Sequence, residues 1–198
     1  IENLAEARNM LETSGLREAA ASINAIPSHP DLFAELERAV QQEEPSPETI
    51  TQIVRQDPGM TVKVLQIVNS AFFGLPKPMT NIGEAVLYLG GSMFKSFVGL
   101  VEGFSKPTPR MAAIGVSLDT IREHSVLTAR IAQKLSADAK NSETTYTAGL
   151  LHDIGILVLA ATCPEQLEAA IEKSHREQIP LYDAEVSVMQ TTHSEVGA

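Results

Sequence analysis

Apolar residues recur along most of this chain at helical spacing. Ile82, Ala85, Val86 and Leu89 fall at i, i+3, i+4 and i+7, the pattern of a helix with one buried face. Asn81 stands where it would cap that helix, with Glu84 three residues on as a capping-box partner. Gly90-Gly91 predicts its end. Phe94, Phe97, Val98 and Val101 repeat the pattern, with Ser92 as the expected N-cap. Upstream, Ile50, Ile53 and Val54 line a short helix. Asp57-Pro58 then reads as a cap followed by a proline in the first turn, ahead of Met60, Val64, Leu65 and Val68. Glu2 to Glu12 reads as a polar amphipathic helix. Lys106-Pro107-Thr108-Pro109 breaks the chain near its middle, because two prolines so close prevent helix continuation. Beyond it, helices are expected from Leu118 to Ala137, Glu143 to Ala161, Glu165 to Gln178 and Leu181 to Gln190. No stretch alternates apolar and polar residues as a half-buried strand does, so the expected fold class is all-α.

Composition narrows the function classes. The 198 residues are 43% hydrophobic and 20% charged, which suits a globular protein with a real core. The net charge of −10, from 25 acidic and 15 basic residues, repels phosphate backbones. Arg55, Lys63, Lys77 and Lys95 stand singly, so no direct nucleic-acid binding is expected. One cysteine, Cys163, reads as a small half-buried hydrophobe and points to a cytoplasmic location. No apolar stretch approaches the ~20 residues of a membrane span, and the best, Ile154 to Ala161, is too short; no membrane partner is expected. The chain begins on Ile1 and ends at Ser194-Glu195-Val196-Gly197-Ala198, where a helix is expected to start, which reads as a piece of a longer protein.

The candidate chemistry lies in Gly149-Leu150-Leu151-His152-Asp153-Ile154-Gly155, a His-Asp pair inside the most apolar run of the chain. Desolvating an unpaired carboxylate is costly, so the pair is expected to hold a metal or to plug the bundle with satisfied hydrogen bonds. Neighbouring side chains on a continuous helix point about 100° apart, and both reach one ion only if the helix faces a cleft. His124 belongs with them: Ile121, Leu127, Thr128 and Ile131 surround it at helical spacing and place it on or beside an apolar face. Ala148, Gly155 and Leu159 share the face of His152, and their small size admits another helix. His193 is the fourth candidate. His124, His152 and Asp153 are the metal candidates, since imidazole and carboxylate from converging elements suit a divalent ion; a hydrogen-bonded core histidine is the alternative for each. His29 and His175 read as exposed or turn residues without a role.

These residues resemble a known family. Gly149 to Gly155 is similar to the signature of the HD superfamily of metal-dependent phosphohydrolases, and His124 matches its first histidine. Ile26-Pro27 to Pro30, Ile53 to Met60, Asn69-Ser70-Ala71-Phe72-Phe73, Ile82 to Gly90, Pro164-Glu165 and His193 to Ala198 resemble, in order, the landmarks of the HDOD domain, the HD-related output domain. The resemblance implies an all-α fold in two helical lobes: a linker or preceding-domain helix over 1–22, an N-terminal lobe over 23–106 and an HD-like lobe over 107–198. It further implies a regulatory output of bacterial signalling proteins, acting through a signalling partner or an attached receiver or sensor domain, with a homodimer as one arrangement. No cofactor is required by that role, although a divalent metal is compatible with it. The chain departs from the catalytic branch: Ile156 stands where a Lys is common, and the only aspartate after Asp153, Asp183, precedes His193 and is out of order for the last metal ligand. Gln190 stands where HDOD sequences often have Gly. Asn69, Ser70, Phe72 and Phe73 are the candidate interaction surface, unless the two phenylalanines simply close the core. The alternatives are a metal-dependent phosphodiesterase and a nucleotide- or metal-sensing pseudo-enzyme.

Overall fold

The computed structural model describes residues 26–71, 73–100, 116–138 and 141–198. The segments 1–25 and 101–115, which include the expected first helix and the Pro107/Pro109 break, lie outside them, as does Phe72. The described residues form ten helices and no strand: α1 Pro30–Val40, α2 Pro47–Val54, α3 Pro58–Val68, α4 Ile82–Leu100, α5 Leu118–Leu135, α6 Ser142–Leu151, α7 Ile154–Thr162, α8 Pro164–Glu177, α9 Leu181–Met189 and α10 His193–Val196. The chain is all-α.

Four of these helices open on proline, at Pro30, Pro47, Pro58 and Pro164. Proline has no N–H to lose in the first turn, and its fixed φ is already helical. Side-chain caps supply the remaining acceptors: Ser46 for Thr49 N–H, Asp57 for Met60 N–H at 2.7 Å and Ser117 for Thr120 N–H. Asn81 caps α4 as its sequence position suggested, accepting from Gly83 and Glu84 N–H. Gly90 (φ 67°) kinks α4, and the helix resumes at once, so Ser92 lies inside the second segment rather than capping it.

Two large apolar cores result among the described residues, with a small third cluster of Ala129, Tyr146 and Leu150. The first joins α1 to α4 through Leu36, Ile50, Val54, Met60, Val64, Val68, Ile82 and Phe94, all essentially inaccessible. The second gathers Val116, Ile154, Leu157, Leu159 and Leu167, with Cys163 half-buried beside them. Ile26 packs into the second core, although its sequence position adjoins the first.

Helix α3 lies along the seam. Pro27 crosses its first turn so closely that a Cβ on Gly59 would sit 2.1 Å from the Pro27 carbonyl oxygen. Contacts across the seam include Arg55 stacked 4.1 Å over the Tyr146 ring, the Tyr146 hydroxyl donated to Arg55 O, the Arg55–Glu143 ion pair at 3.2 Å, and His29 Nε2 2.9 Å from Asp119 Oδ1. His29 precedes α1 outside the helix and is a half-buried tie across the seam, a role its surroundings in sequence did not suggest.

The seam also buries charge. Asp57 accepts from His29 N–H at 2.6 Å as well as from Met60, and Lys63 donates to Ser28 Oγ at 3.2 Å. Burial pushes the Asp57 carboxyl up, against those two N–H bonds and the nearby Lys63 ammonium. Burial pulls the Lys63 ammonium down to about 8, with Asp57 opposing.

Ser142 to Thr162 is long and apolar enough to cross a membrane by composition. It is nevertheless two helices of 10 and 9 residues with half of its length buried in the domain, which fits a core segment.

Candidate functional site

The break between those two helices makes the site. Sequence periodicity predicts one helix from Glu143 to Ala161; the structure ends α6 at Leu151 and restarts at Ile154. Asp153 leaves helical geometry (φ −109°, ψ 17°). Ending the helix frees the Gly149 carbonyl, and His152 Nδ1 donates to it at 2.8 Å. A carbonyl only accepts, so Nδ1 carries the hydrogen and Nε2 is turned to the other side. The break also removes the ~100° divergence of adjacent helical side chains: His152 Nε2 and Asp153 Oδ2 lie 3.0 Å apart.

Helix α5 brings the third donor. Gly149 lets α6 pack backbone to backbone on α5; a Cβ there would fall 2.8 Å from Ala129 Cα. His124 Nε2 then stands 3.1 Å from His152 Nε2 and 3.4 Å from Asp153 Oδ2. The face of α5 differs from the expectation. Its buried residues are Ser125 and Ala129, whereas Leu127, Ile131 and Leu135 are 59%, 49% and 78% exposed. Small residues bury because the two backbones are too close for anything larger.

His193 arrives by another close approach. A Cβ on Gly155 would lie 1.9 Å from the His193 carbonyl oxygen, so glycine is what allows α10 to cross α7. Thr192 caps α10 in a full capping box with Glu195. His193 Nε2 stands 3.6 Å from Asp153 Oδ1, the oxygen that faces away from the other two histidines. Its Nδ1 donates to Glu185 Oε2 at 2.6 Å, and its backbone N–H donates to the same oxygen at 3.0 Å. Glu185 is fully buried. No sequence signal marked it: on α9 the apolar Tyr182 and Val186 are exposed, and the carboxylate points inward.

The donor set fits a divalent metal. Ligands about 2.1 Å from an ion are separated by roughly 3.0 Å in octahedral and 3.4 Å in tetrahedral geometry. The three atoms are 3.0, 3.1 and 3.4 Å apart. With its hydrogen on Nδ1, His152 turns its Nε2 lone pair toward the same point as Asp153 Oδ2. Two histidines and one carboxylate with an open side are the donor pattern of non-haem iron and related ions. Side-chain exposures of 57% for His124, 34% for His152 and 21% for Asp153 leave the site reachable from solvent.

Ile156 packs into the second core, and Asp183 is exposed at the start of α9, so neither adds to the cluster. Asn69 clamps Met79 with both ends of its amide (2.8 and 2.6 Å), Ser70 closes the turn after α3, and Phe73 packs edge-on against Tyr88 at the margin of the first core. Tyr88 and Leu87 beside it are 50% and 62% exposed.

Comparisons with known proteins agree with this architecture. The HDOD domain family model matches residues 26–198. An uncharacterized protein of Treponema pallidum is 26% identical over 188 residues, covering 90% of this chain but only 35% of that protein. The chain thus spans about a third of that relative's length. Among solved structures, the MmoQ response regulator of Methylococcus capsulatus superposes with a TM-score of 0.71 at 24% identity, over 87% of this chain and 69% of that one. The Campylobacter jejuni virulence factor cj0248 superposes with a TM-score of 0.65 at 21% identity, over 91% and 67%. With that model matching residues 26–198, the chain belongs to the HDOD family.

Proposed function

We propose that this HDOD chain is a regulatory output module of a bacterial signalling protein, working in the cytoplasm through contacts with a protein partner, and that it holds one divalent metal without turning over a substrate. The observation that carries the metal half is the convergence of His124 Nε2, His152 Nε2 and Asp153 Oδ2 at coordination spacing. Such an ion would polarise a phosphoryl oxygen or activate water in an enzyme. Here the position after Gly155 is Ile156, packed in the core, so no lysine stands there to balance phosphate charge. The apolar margin formed by Phe73, Tyr88 and Leu87 supports the partner-binding half.

The test is a metal analysis of the purified protein followed by assay against cyclic dinucleotides and simple phosphodiesters. The expected result is bound metal and no product. Turnover that disappears in His152→Ala would overturn the non-catalytic reading in favour of an HD-type phosphodiesterase. Phe73→Ser is expected to abolish partner capture by the full-length protein while leaving the melting curve nearly unchanged.

A further inference from the structure

We infer that Glu185 and His193 are positioning residues for the metal centre: a buried carboxylate locks the imidazole, and the imidazole fixes which oxygen of Asp153 faces the ion. The inference rests on the metal reading above and concerns residues outside the ligand triad. Its starting point is an oddity of packing. A fully buried carboxylate costs several kcal/mol unless it is compensated, and Glu185 is inaccessible in a helix whose apolar neighbours face solvent. It also uses its bonding capacity poorly. Oε2 receives both His193 bonds, while Oε1 has no hydrogen-bond partner among the described residues. A side chain retained only for core stability would be better replaced by an apolar one. What Glu185 does accomplish is to hold one residue, His193, at its backbone and its ring together.

The rest of the geometry directs that hold at Asp153. Gly155 and the Thr192–Glu195 capping box fix the backbone of His193 on the other side. With backbone and Nδ1 both tied, the ring has one atom left to act with. Nε2 faces Asp153 Oδ1 at 3.6 Å, and His193 stands outside the triad whose donor atoms lie within 4.8 Å of one another. The Asp153 carboxylate is therefore bracketed, Oδ1 by His193 and Oδ2 by His124 and His152. At 3.6 Å the contact is longer than a hydrogen bond; the tied ring stands against Oδ1 as a packed neighbour that limits rotation of the carboxylate. Outer partners of this kind typically change metal affinity by about 10–100-fold when removed.

The test titrates Co²⁺ into the protein and reads affinity by calorimetry and the ligand field by visible absorption. Unsubstituted protein is expected to bind one Co²⁺, and His152→Ala none. Glu185→Gln keeps the shape and one acceptor, and His193→Gln keeps a polar group of similar reach. Both are expected to bind about 10–100-fold more weakly, with a changed absorption band and thermal melts close to that of the parent. A purely structural role would move the melts and leave the spectrum alone. Should Glu185→Gln fail to fold, His193→Gln carries the test. Parental affinity and spectrum in the variants, with binding still lost in His152→Ala, would overturn this inference and leave the metal reading intact. No Co²⁺ binding by the unsubstituted protein would remove both.

Discussion

The molecule has two polar clusters in apolar surroundings, and they are built on opposite plans. At the seam, Asp57 is closed: two backbone N–H groups point at its carboxylate, and the buried Lys63 neutralises it from α3. Beside the second core, Asp153 is open: its neighbours are imidazole nitrogens, and two of them converge with it on a common point near solvent. Both sites depend on a glycine where backbones nearly touch, Gly59 under Pro27 and Gly155 under His193. The difference is one of donors. A carboxylate fed by N–H groups holds a fold together, whereas one that converges with two imidazoles near solvent has the arrangement proposed above for a metal.

That contrast can be broken in graded ways. Gly155→Ala is expected to have the largest effect, because the new Cβ meets backbone rather than a flexible side chain. A loss on the order of 4 kcal/mol, or failure to fold, should appear in denaturant melts, with metal binding lost as well. Asp57→Ala removes a cap and the carboxylate beside the buried Lys63, and should cost about 3 kcal/mol by the same measurement.

The seam also predicts a pH dependence. Lys63 titrates near 8 in the folded chain and near 10.5 when unfolded, so between those values the unfolded state binds more protons. Stability should therefore rise as pH goes from 8 to 10.5, by up to about 3 kcal/mol. Lys63→Met should flatten that part of the curve, and a profile unchanged in the variant would contradict the assignment.

Smaller effects sharpen the comparison. Gln190 adopts φ 58° at the end of α9, the left-handed region where a side chain is strained and glycine is favoured. Gln190→Gly should raise stability by about 1 kcal/mol in thermal melts. Asp153→Asn should change stability by less than about 1 kcal/mol, unlike Asp57→Ala, because solvent already reaches its carboxylate. It should remove metal binding outright.

Much of this was legible in the residues. The caps at Asp57 and Asn81, the α3 and α4 faces and the grouping of His124 with His152 and Asp153 all rest on local chemistry that the chain states directly. The helix break at His152-Asp153 was not, since apolar periodicity runs through it and no glycine or proline stands at the break itself. The face of α5 was misjudged for a related reason. Leu127 and Ile131 look like core residues, but the approach permitted by Gly149 buries Ala129 and Ser125 instead. Glu185 and Lys63 were invisible as functional or buried groups, because a charge on a helix reads as solvated until a partner from a distant segment is placed beside it.

The most direct test is a crystal of the protein grown or soaked with Mn²⁺ and measured near the manganese absorption edge. The account predicts a single anomalous peak about 2.1–2.2 Å from His124 Nε2, His152 Nε2 and Asp153 Oδ2. A cluster free of any peak at saturating Mn²⁺, with His124 simply donating to His152 across the gap, would contradict it.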